Sequence, residues 1–185
     1  MTVRILVVCT GNLCRSPLAA ELLRVALAGL PVGIRSAGTS ARDGEPMPPE
    51  TLAWATALGA QAAATHRSRR FQPADAIDAD LVLTAGLDHR RHVAEAAPQA
   101  VRRTFTLLEF ARLAETMEAV PRPLPDALAA LAARRPVVQL DPDSLDVVDP
   151  HGRDEEFQRQ AATAIDGACD RIGAFLRGTL AGGTP

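Results

Sequence analysis

Residues 3–8 form a predominantly aliphatic run, which is the pattern of a strand buried on both faces of a parallel sheet. Turn-forming residues follow at 9–12. Ser16 and Pro17 then predict the start of a helix, with Ser16 as N-cap and Pro17 at the first helical position. Apolar residues at helical spacing extend this helix to about residue 26. The chain is therefore predicted to begin with a strand, a tight loop and a helix.

The same alternation of strand and helix patterns continues along the chain. Short apolar runs predict three further strands, at 32–35, 80–84 and 101–105. Helical periodicity predicts helices at about 49–58, 87–96 and 106–117, and a final helix that follows the acidic residues 154–156. Strands that alternate with helices favour an α/β fold, in which helices cover both faces of a parallel sheet.

The segment 118–146 interrupts this regularity. Six prolines lie between Pro121 and Pro150, and proline breaks regular structure. An Ala/Leu-rich stretch at 126–135 is nevertheless compatible with one helix. A segment of this length cannot support its own core. We therefore interpret residues 1–185 as a single domain, with 118–146 as a Pro-rich elaboration within it.

The composition excludes several classes of protein. Hydrophobic residues make up 47% and charged residues 23%, and the net charge is -2; these values argue against disorder and against a nucleic-acid or membrane partner. No apolar run is long enough for a membrane span or a signal peptide. Three cysteines do not make a disulfide framework, so a cytoplasmic location is expected. Aromatic residues are scarce: five Phe, one Trp and no Tyr.

The loop after the first strand carries the main chemical signal. It contains Cys9, five further residues and Arg15. Backbone N–H groups of such a loop and the start of the next helix can bind a phosphate group, and a guanidinium can bind two of its oxygens at once. The same environment favours the thiolate form of Cys9, which Ser16 would stabilise by donating its hydroxyl proton. Gly11 would let the backbone approach the anion, and Asn12 tolerates a left-handed conformation.

The loop could also have no role in binding phosphate. The spacing of Cys9 and Arg15 also occurs by chance, and a cysteine at the end of a strand is usually a small buried hydrophobic residue. Here the spacing is combined with a preceding strand, Gly-Asn in the loop and Ser-Pro at the helix start. The combination favours a phosphate-binding loop.

The signature of the low-molecular-weight protein tyrosine phosphatases resembles residues 8–19 of this chain, VCTGNLCRSPLA. Related arsenate reductases typically have Ser-Gln-Met where this chain has Ser16-Pro17-Leu18. The resemblance covers most of the chain except about 118–146. It implies a four-stranded parallel sheet flanked by helices, and a reaction that needs no metal or other cofactor.

The resemblance also implies a mechanism. Cys9 would attack phosphorus and form a cysteinyl-phosphate. Asp149, which precedes the acidic helix start, would donate a proton to the leaving oxygen and then act as base for water. Asp141, Asp143 and Asp146 are its rivals in the sequence. Both transition states would be stabilised by Arg15 and by the backbone of the loop, which is made of Thr10, Gly11, Asn12, Leu13, Cys14, Arg15 and Ser16.

The family pattern assigns supporting residues as well. Ser36, in Ser-Ala-Gly-Thr, would support Asn12, and His66 would belong to the same network; alternatively they are an ordinary strand serine and a surface histidine. Cys14 would form a reversible disulfide with Cys9 that shields it from overoxidation, or is inert packing.

The departures from the family concern the substrate rim. Family members usually carry aromatic residues where this chain has Arg42 and, after Asp149-Pro150, His151 and Gly152. Leu13 is then the one obvious apolar residue that could form a wall against the phosphotyrosine ring. Segment 118–146 is a candidate for a substitute wall. Ala85-Gly86 also stand where the family has Met-Asp. We expect weaker binding of a phenyl ring, because aromatic pairing contributes about 0.5–1.5 kcal/mol beyond buried area.

The leading functional hypothesis is metal-independent hydrolysis of phosphate monoesters. The expected substrate is protein phosphotyrosine, and a small phosphate ester is the alternative substrate. An arsenate reductase that uses an external thiol is the first alternative, since residues 80–90 contain no cysteine for a relay. A non-catalytic phosphate-binding module is the second. The sequence does not define an oligomeric state.

Overall fold

The computed structural model describes residues 2–180, which contain one four-stranded sheet in the order β2-β1-β3-β4. All three strand pairs are parallel. The strands are β1 (Val3–Cys9), β2 (Val32–Gly38), β3 (Leu81–Thr84) and β4 (Thr104–Thr106). The predicted α/β fold with a four-stranded parallel sheet is therefore confirmed.

Seven α-helices lie in the described part of the chain. They are α1 (Arg15–Ala26), α2 (Pro49–Ala57), α3 (Pro73–Asp78), α4 (Leu87–Ala96), α5 (Leu107–Glu115), α6 (Leu124–Ala133) and α7 (Glu155–Leu180). The short helix α3 was not predicted. The fourth strand begins at Thr104 instead of residue 101, because residues 98–103 form a 3-10 helix.

The helices bury both faces of the sheet. Side chains of a strand alternate between its two faces, and in β1 Ile5 and Val7 join the larger core while Leu6 and Val8 join the smaller one. Helices α1, α5, α6 and α7 contribute to the larger core, and α3 and α4 cover the opposite face. This double burial is the reason that the aliphatic run of β1 carries so few polar residues.

The inserted segment contains α6, whose apolar side packs into the larger core. Leu124, Ala127, Leu128 and Leu131 of this helix are buried there. The helix forms in spite of the surrounding prolines because Pro125 lies in its first turn, where the missing N–H would have no partner in the helix.

The strand order locates the crevice in which a ligand would bind. Strand β1 lies between β2 and β3. The chain therefore first adds β2 along one edge of β1 and later adds β3 along the other edge. In open α/β sheets, the crevice at the carboxyl ends of two such strands is the usual binding site. Within residues 2–180, none of the helices combines the length and the hydropathy that crossing a bilayer requires.

Candidate active site

A pocket of about 330 Å³ opens at the carboxyl end of β1. The cradle, residues Cys9–Arg15, contributes all its members except Asn12 to the pocket lining. The segments after β2 and before α7 contribute the rest, which together with Leu13 we call the rim. The lining residues are Cys9, Thr10, Gly11, Leu13, Cys14, Arg15, Ser40, Ala41, Arg42, Glu45, Asp149 and His151. The predicted nucleophile, the arginine and the predicted acid thus lie in one pocket, although Asp149 is 134 residues from Arg15 in sequence.

Polar groups of the loop surround the sulfur of Cys9. The backbone N–H of Asn12 donates to Sγ at 3.3 Å, and the hydroxyl of Ser16 lies 3.0 Å from it. A thiolate has no proton, so in that state Ser16 is the donor. The predicted N-cap role of Ser16 is wrong: the helix begins at Arg15 with Cys14 as N-cap, and the Ser16 hydroxyl is turned to the sulfur instead.

Asn12 fixes the shape of the cradle. Its φ of 54° is in the left-handed region, as its residue type predicts. The side-chain amide of Asn12 donates to Ser16 Oγ at 2.9 Å and accepts from the backbone N–H of Arg69 at 2.9 Å. His66 Nε2 donates to the backbone carbonyl of Asn12 at 2.8 Å. The structure therefore brings His66 into contact with the loop, as predicted.

Ser36 does not reach Asn12. Among residues 2–180, the side chain of Asn12 is hydrogen-bonded to Ser16 and Arg69 and not to Ser36. Ser36 pairs with Val7 in the middle of the parallel register, upstream of the strand ends where the loop begins. The predicted contact between Ser36 and Asn12 is therefore corrected.

Gly38, at the end of β2, is a site residue that the sequence analysis missed. A Cβ at this position would lie 2.5 Å from the carbonyl oxygen of Thr10 and 2.7 Å from the backbone nitrogen of Asn12. Only glycine permits this approach of β2 to the cradle. The glycine in Ser-Ala-Gly-Thr was the available signal, but sequence alone does not show which backbone it faces.

Arg15 is buried, with 7% of its surface exposed, and its guanidinium joins three parts of the site. Nη2 donates to Asp149 Oδ2 at 2.8 Å and to Thr10 Oγ1 at 3.3 Å, and Nη1 donates to the carbonyl of Val147 at 3.3 Å. The Asp149 side chain is 54% exposed at the pocket. A phosphoryl group would therefore meet both the arginine and the predicted acid.

The three rival aspartates are placed elsewhere. Asp146 accepts the backbone N–H of Leu87 at 2.7 Å, and Asp141 caps the short 3-10 helix that contains Asp143. The backbone N–H of Val147 bonds to the carbonyl of Ala85 at 2.8 Å, which fixes the chain before Asp149 to the end of β3. The Ala85-Gly86 departure fits this docking, because a Cβ at Gly86 would lie 2.7 Å from the Asp146 carboxyl carbon.

All three cysteines lie in the described residues, and all are buried and unbridged. Burial is the main reason that the pKa of Cys14 is raised to about 11. Its sulfur lies 3.9 Å from His151 Nδ1. Burial also raises the pKa of Cys169, whose sulfur lies 3.6 Å from the carbonyl of Ala19 in the helical layer. Neither thiol has the combination found at Cys9, whose sulfur lies beside both a hydroxyl and a backbone N–H.

The residues named from the sequence as a substrate rim lie at the pocket. Leu13, Arg42 and His151 line the pocket, and within residues 2–180 no Phe or Trp does. Three of the five phenylalanines instead form an edge-to-face cluster in the core, where Phe110 contacts both Phe105 and Phe175. The idea that 118–146 supplies a substitute wall is wrong, because no described residue of that segment lines the pocket; α6 packs on the core instead.

The contact between His66 and the loop predicts a pH-dependent stability. Burial lowers the pKa of His66 below the value of about 6.5 that an unfolded chain has. Between these values the unfolded state binds more protons, so the free energy of unfolding falls as the pH falls through this range. The excess stability of the native chain over a His66→Asn variant, measured by urea unfolding, should be greater at pH 7.5 than at pH 5. A difference that is constant or larger at pH 5 would contradict this prediction.

Comparison with known families supports the chemistry of this pocket. The family model described as low molecular weight phosphotyrosine protein phosphatase matches residues 4–138. A probable low molecular weight protein-tyrosine-phosphatase, EpsP of Ralstonia solanacearum, is 37% identical over 106 residues, which are 57% of this chain and 71% of that protein. A protein-arginine-phosphatase of Geobacillus stearothermophilus is 39% identical over 111 residues, 60% of this chain and 72% of that protein.

Solved structures have the same fold. The low molecular weight protein tyrosine phosphatase of T. tengcongensis superimposes with a TM-score of 0.70 at 26% identity, covering 92% of this chain and 97% of that one. The YwlE arginine phosphatase of Geobacillus stearothermophilus gives a TM-score of 0.70 at 30% identity, with 95% and 93% covered. Both tyrosine and arginine phosphatases are thus similar to this chain.

Proposed function

The chain belongs to the low molecular weight phosphotyrosine protein phosphatase family, and from this premise we propose that it hydrolyses phosphotyrosine in proteins through a cysteinyl-phosphate. The observation that carries the proposal is the convergence of Cys9, Arg15 and Asp149 on one pocket. We further propose that the chain works as one phosphatase domain in which 118–146 is an elaboration, and that it acts in the cytoplasm, where its unbridged thiols stay reduced.

The first step is transfer of the phosphoryl group to sulfur. The Cys9 thiolate attacks phosphorus, so an S–P bond forms as the bond from phosphorus to the tyrosine oxygen breaks. Protonated Asp149 gives its proton to that oxygen, which leaves as a neutral phenol. The phosphoryl group competes with the Asp149 carboxylate for Arg15, and this exchange releases the carboxylate from the 2.8 Å ion pair. The freed carboxylate takes up a proton from solvent before it acts as acid.

The second step returns the enzyme to its starting state. Asp149, now a carboxylate, takes a proton from water as that water attacks phosphorus. The S–P bond breaks, inorganic phosphate forms and Cys9 leaves as a thiolate. Ser16, 3.0 Å from the sulfur, stabilises that leaving thiolate with its hydroxyl proton. Arg15 and the N–H groups of the cradle stabilise the equatorial oxygens in both transition states.

The depth of the nucleophile favours a long phosphorylated side chain. Cys9 is only 2% exposed at the base of the pocket, so a phosphoserine would have to bring the peptide backbone into the pocket to reach it. Phosphotyrosine places its phosphate at the end of a long ring, and Leu13 offers that ring an apolar contact. Arg42 and His151 at the rim then face the peptide around the phosphotyrosine.

We expect kcat/KM for a phosphotyrosine peptide to exceed that for the matched phosphoserine peptide by about 100-fold or more, because the shorter side chain cannot fill the site. Malachite-green assays with peptides of one sequence, run with EDTA present, measure this ratio. Equal values for the two peptides would contradict the proposed substrate. No hydrolysis of para-nitrophenyl phosphate would contradict the phosphatase itself.

Phosphoarginine is a second candidate substrate. It has a similar reach, and one similar protein is named a protein-arginine-phosphatase. The specific observation is Glu45, which is one of the residues that line the pocket and whose carboxylate is of the type that pairs with a guanidinium. A Glu45→Gln variant separates the two substrates: hydrolysis of a phosphoarginine peptide should fall, whereas hydrolysis of a phosphotyrosine peptide should not.

The arsenate reductase alternative is not favoured. The similar proteins reported above are phosphatases. Beyond Cys9, the thiols of Cys14 and Cys169 are buried with raised pKa values, which makes both poor relays for a disulfide.

A further inference from the structure

His89, in the first turn of α4, has a side chain that reaches the active-site cradle. Its Nε2 lies 2.9 Å from Oγ1 of Thr10, the residue that follows the nucleophile. The contact arises from the topology: α4 starts directly after β3, and β3 pairs with β1. The first turn of α4 therefore lies beside the loop that leaves β1. No motif in the sequence points to this histidine.

The environment of the ring defines which nitrogen carries the proton. Burial and the charge of Arg15 lower the pKa of His89, opposed by Asp146, Asp88 and Asp149. A neutral imidazole has one N–H. No partner for the buried Nδ1 exists among residues 2–180, and a buried N–H without an acceptor is rarer in proteins than an unpaired acceptor. The proton therefore lies on Nε2, and His89 donates to Thr10.

Thr10 receives a second hydrogen bond, from Arg15 Nη2 at 3.3 Å. A hydroxyl has two lone pairs and one proton. With both lone pairs accepting, from His89 and from Arg15, the hydroxyl cannot donate to either partner. Its proton is directed away from both, and Thr10 lines the pocket with Cys9 and Arg15.

We infer that the hydroxyl of Thr10 donates a hydrogen bond to a phosphoryl oxygen and that His89 is the positioning residue which orients it. This inference rests on the proposed function. It adds a side-chain donor to the backbone N–H groups and the guanidinium of the cradle. It also gives α4 a part in catalysis, since the contact joins a helix on one face of the sheet to the loop that holds the nucleophile.

A double-mutant cycle tests whether His89 acts through Thr10. Thr10→Val removes the hydroxyl at nearly constant volume, and His89→Leu removes the donor. Each variant should lower kcat/KM for para-nitrophenyl phosphate roughly tenfold, because a hydrogen bond to a charged group is among the stronger ones. The double variant should be no worse than either single variant. His89→Gln can place an amide N–H near the position of Nε2 and should recover most of the activity.

Affinity for inorganic phosphate, measured by titration calorimetry, gives a readout that does not depend on turnover. It should weaken by a similar factor in Thr10→Val and in His89→Leu. His92→Leu is the matched control: this residue lies one turn further along α4, and its ring packs on Phe71, 5.7 Å away, on the smaller core. Its phosphate affinity should equal that of the native chain.

Two results would overturn the inference. One is full phosphate affinity in Thr10→Val, a variant in which the fold is least disturbed. The other is found when His89→Leu lowers kcat/KM by the same factor in the Thr10→Val background as in the native chain. That result is expected of a histidine that only supports packing. If the native chain binds phosphate but does not turn over esters, the proposed function fails while the role of Thr10 and His89 is still decided by calorimetry.

Discussion

Replacing Cys9 by serine should lower the hydrolysis of para-nitrophenyl phosphate by at least about 10⁴-fold, the scale seen when a catalytic nucleophile is removed. The sulfur lies where the backbone N–H of Asn12 and the hydroxyl of Ser16 stabilise a negative charge. A serine hydroxyl at the same place stays protonated and is a far weaker nucleophile. Steady-state kinetics at saturating substrate measures the effect.

Cys169→Ala is the control for this experiment. Its sulfur is buried among helices and contacts Ala19, so its removal should change stability and leave kcat/KM at the native value. Cys9→Ser should in turn still bind inorganic phosphate, because Arg15 and the cradle N–H groups remain. Substantial turnover by Cys9→Ser would show that another group attacks phosphorus.

Arg15→Lys should lower kcat/KM by about 10²–10³-fold, comparable to the loss of a donor that stabilises transition-state charge. The guanidinium holds Val147 with one nitrogen and faces Thr10 and Asp149 with the other. A single ammonium cannot keep these contacts and also bind two equatorial oxygens of a phosphoryl group. The loss should be seen in kcat as well as in KM.

The matched control is Arg24→Lys, in the last turn of the same helix. Arg24 pairs with Glu21 and donates to the carbonyl of Ile34, and none of these residues lines the pocket. Its kinetics should stay within about twofold of the native chain, because lysine keeps the positive charge beside Glu21 and the pair lies outside the pocket. If Arg15→Lys behaved like Arg24→Lys, the guanidinium would not be the group that binds the phosphoryl oxygens.

The fold was largely predictable because its signals are local. The aliphatic run of β1 and the periodicity of α1, α4 and α7 are each contained within one element, and each follows from burial of the sheet on both faces. The short helix α3 and the late start of β4 were missed, because a six-residue helix and a three-residue strand carry too few residues for a period to show.

The site was predictable where the chemistry lies in contiguous residues, and less so where the chain folds back. Cys9, Arg15 and the left-handed Asn12 follow from one loop. The predicted contact between Ser36 and Asn12 was wrong, because the register of β2 against β1 decides which residues of β2 reach the loop. That register cannot be inferred from the sequence of β2 alone. His89 went unnoticed for the same reason: its relation to Thr10 exists only through the pairing of β1 with β3.

The scarcity of aromatic residues affects the expected substrate preference and leaves the expected reaction unchanged. Three of the five phenylalanines pack together in the core, and the rim has Leu13, Arg42, Glu45 and His151. None of these four side chains takes part in the proposed phosphoryl transfer. The rim therefore sets how a side chain is held, and substitutions there should change the preference among phosphorylated substrates more than the chemistry at Cys9.

Trapping of the phosphoenzyme tests the central claim most directly. Asp149→Asn removes the base that activates water, while para-nitrophenol still leaves readily without an acid, so the intermediate should accumulate. After rapid mixing with para-nitrophenyl phosphate and denaturation, mass spectrometry should find one phosphoryl group on the peptide that contains Cys9, with a ³¹P resonance of a thiophosphate ester. Release of para-nitrophenol with no phosphorylated peptide, or with the phosphoryl group on His89 or His151, would contradict the account.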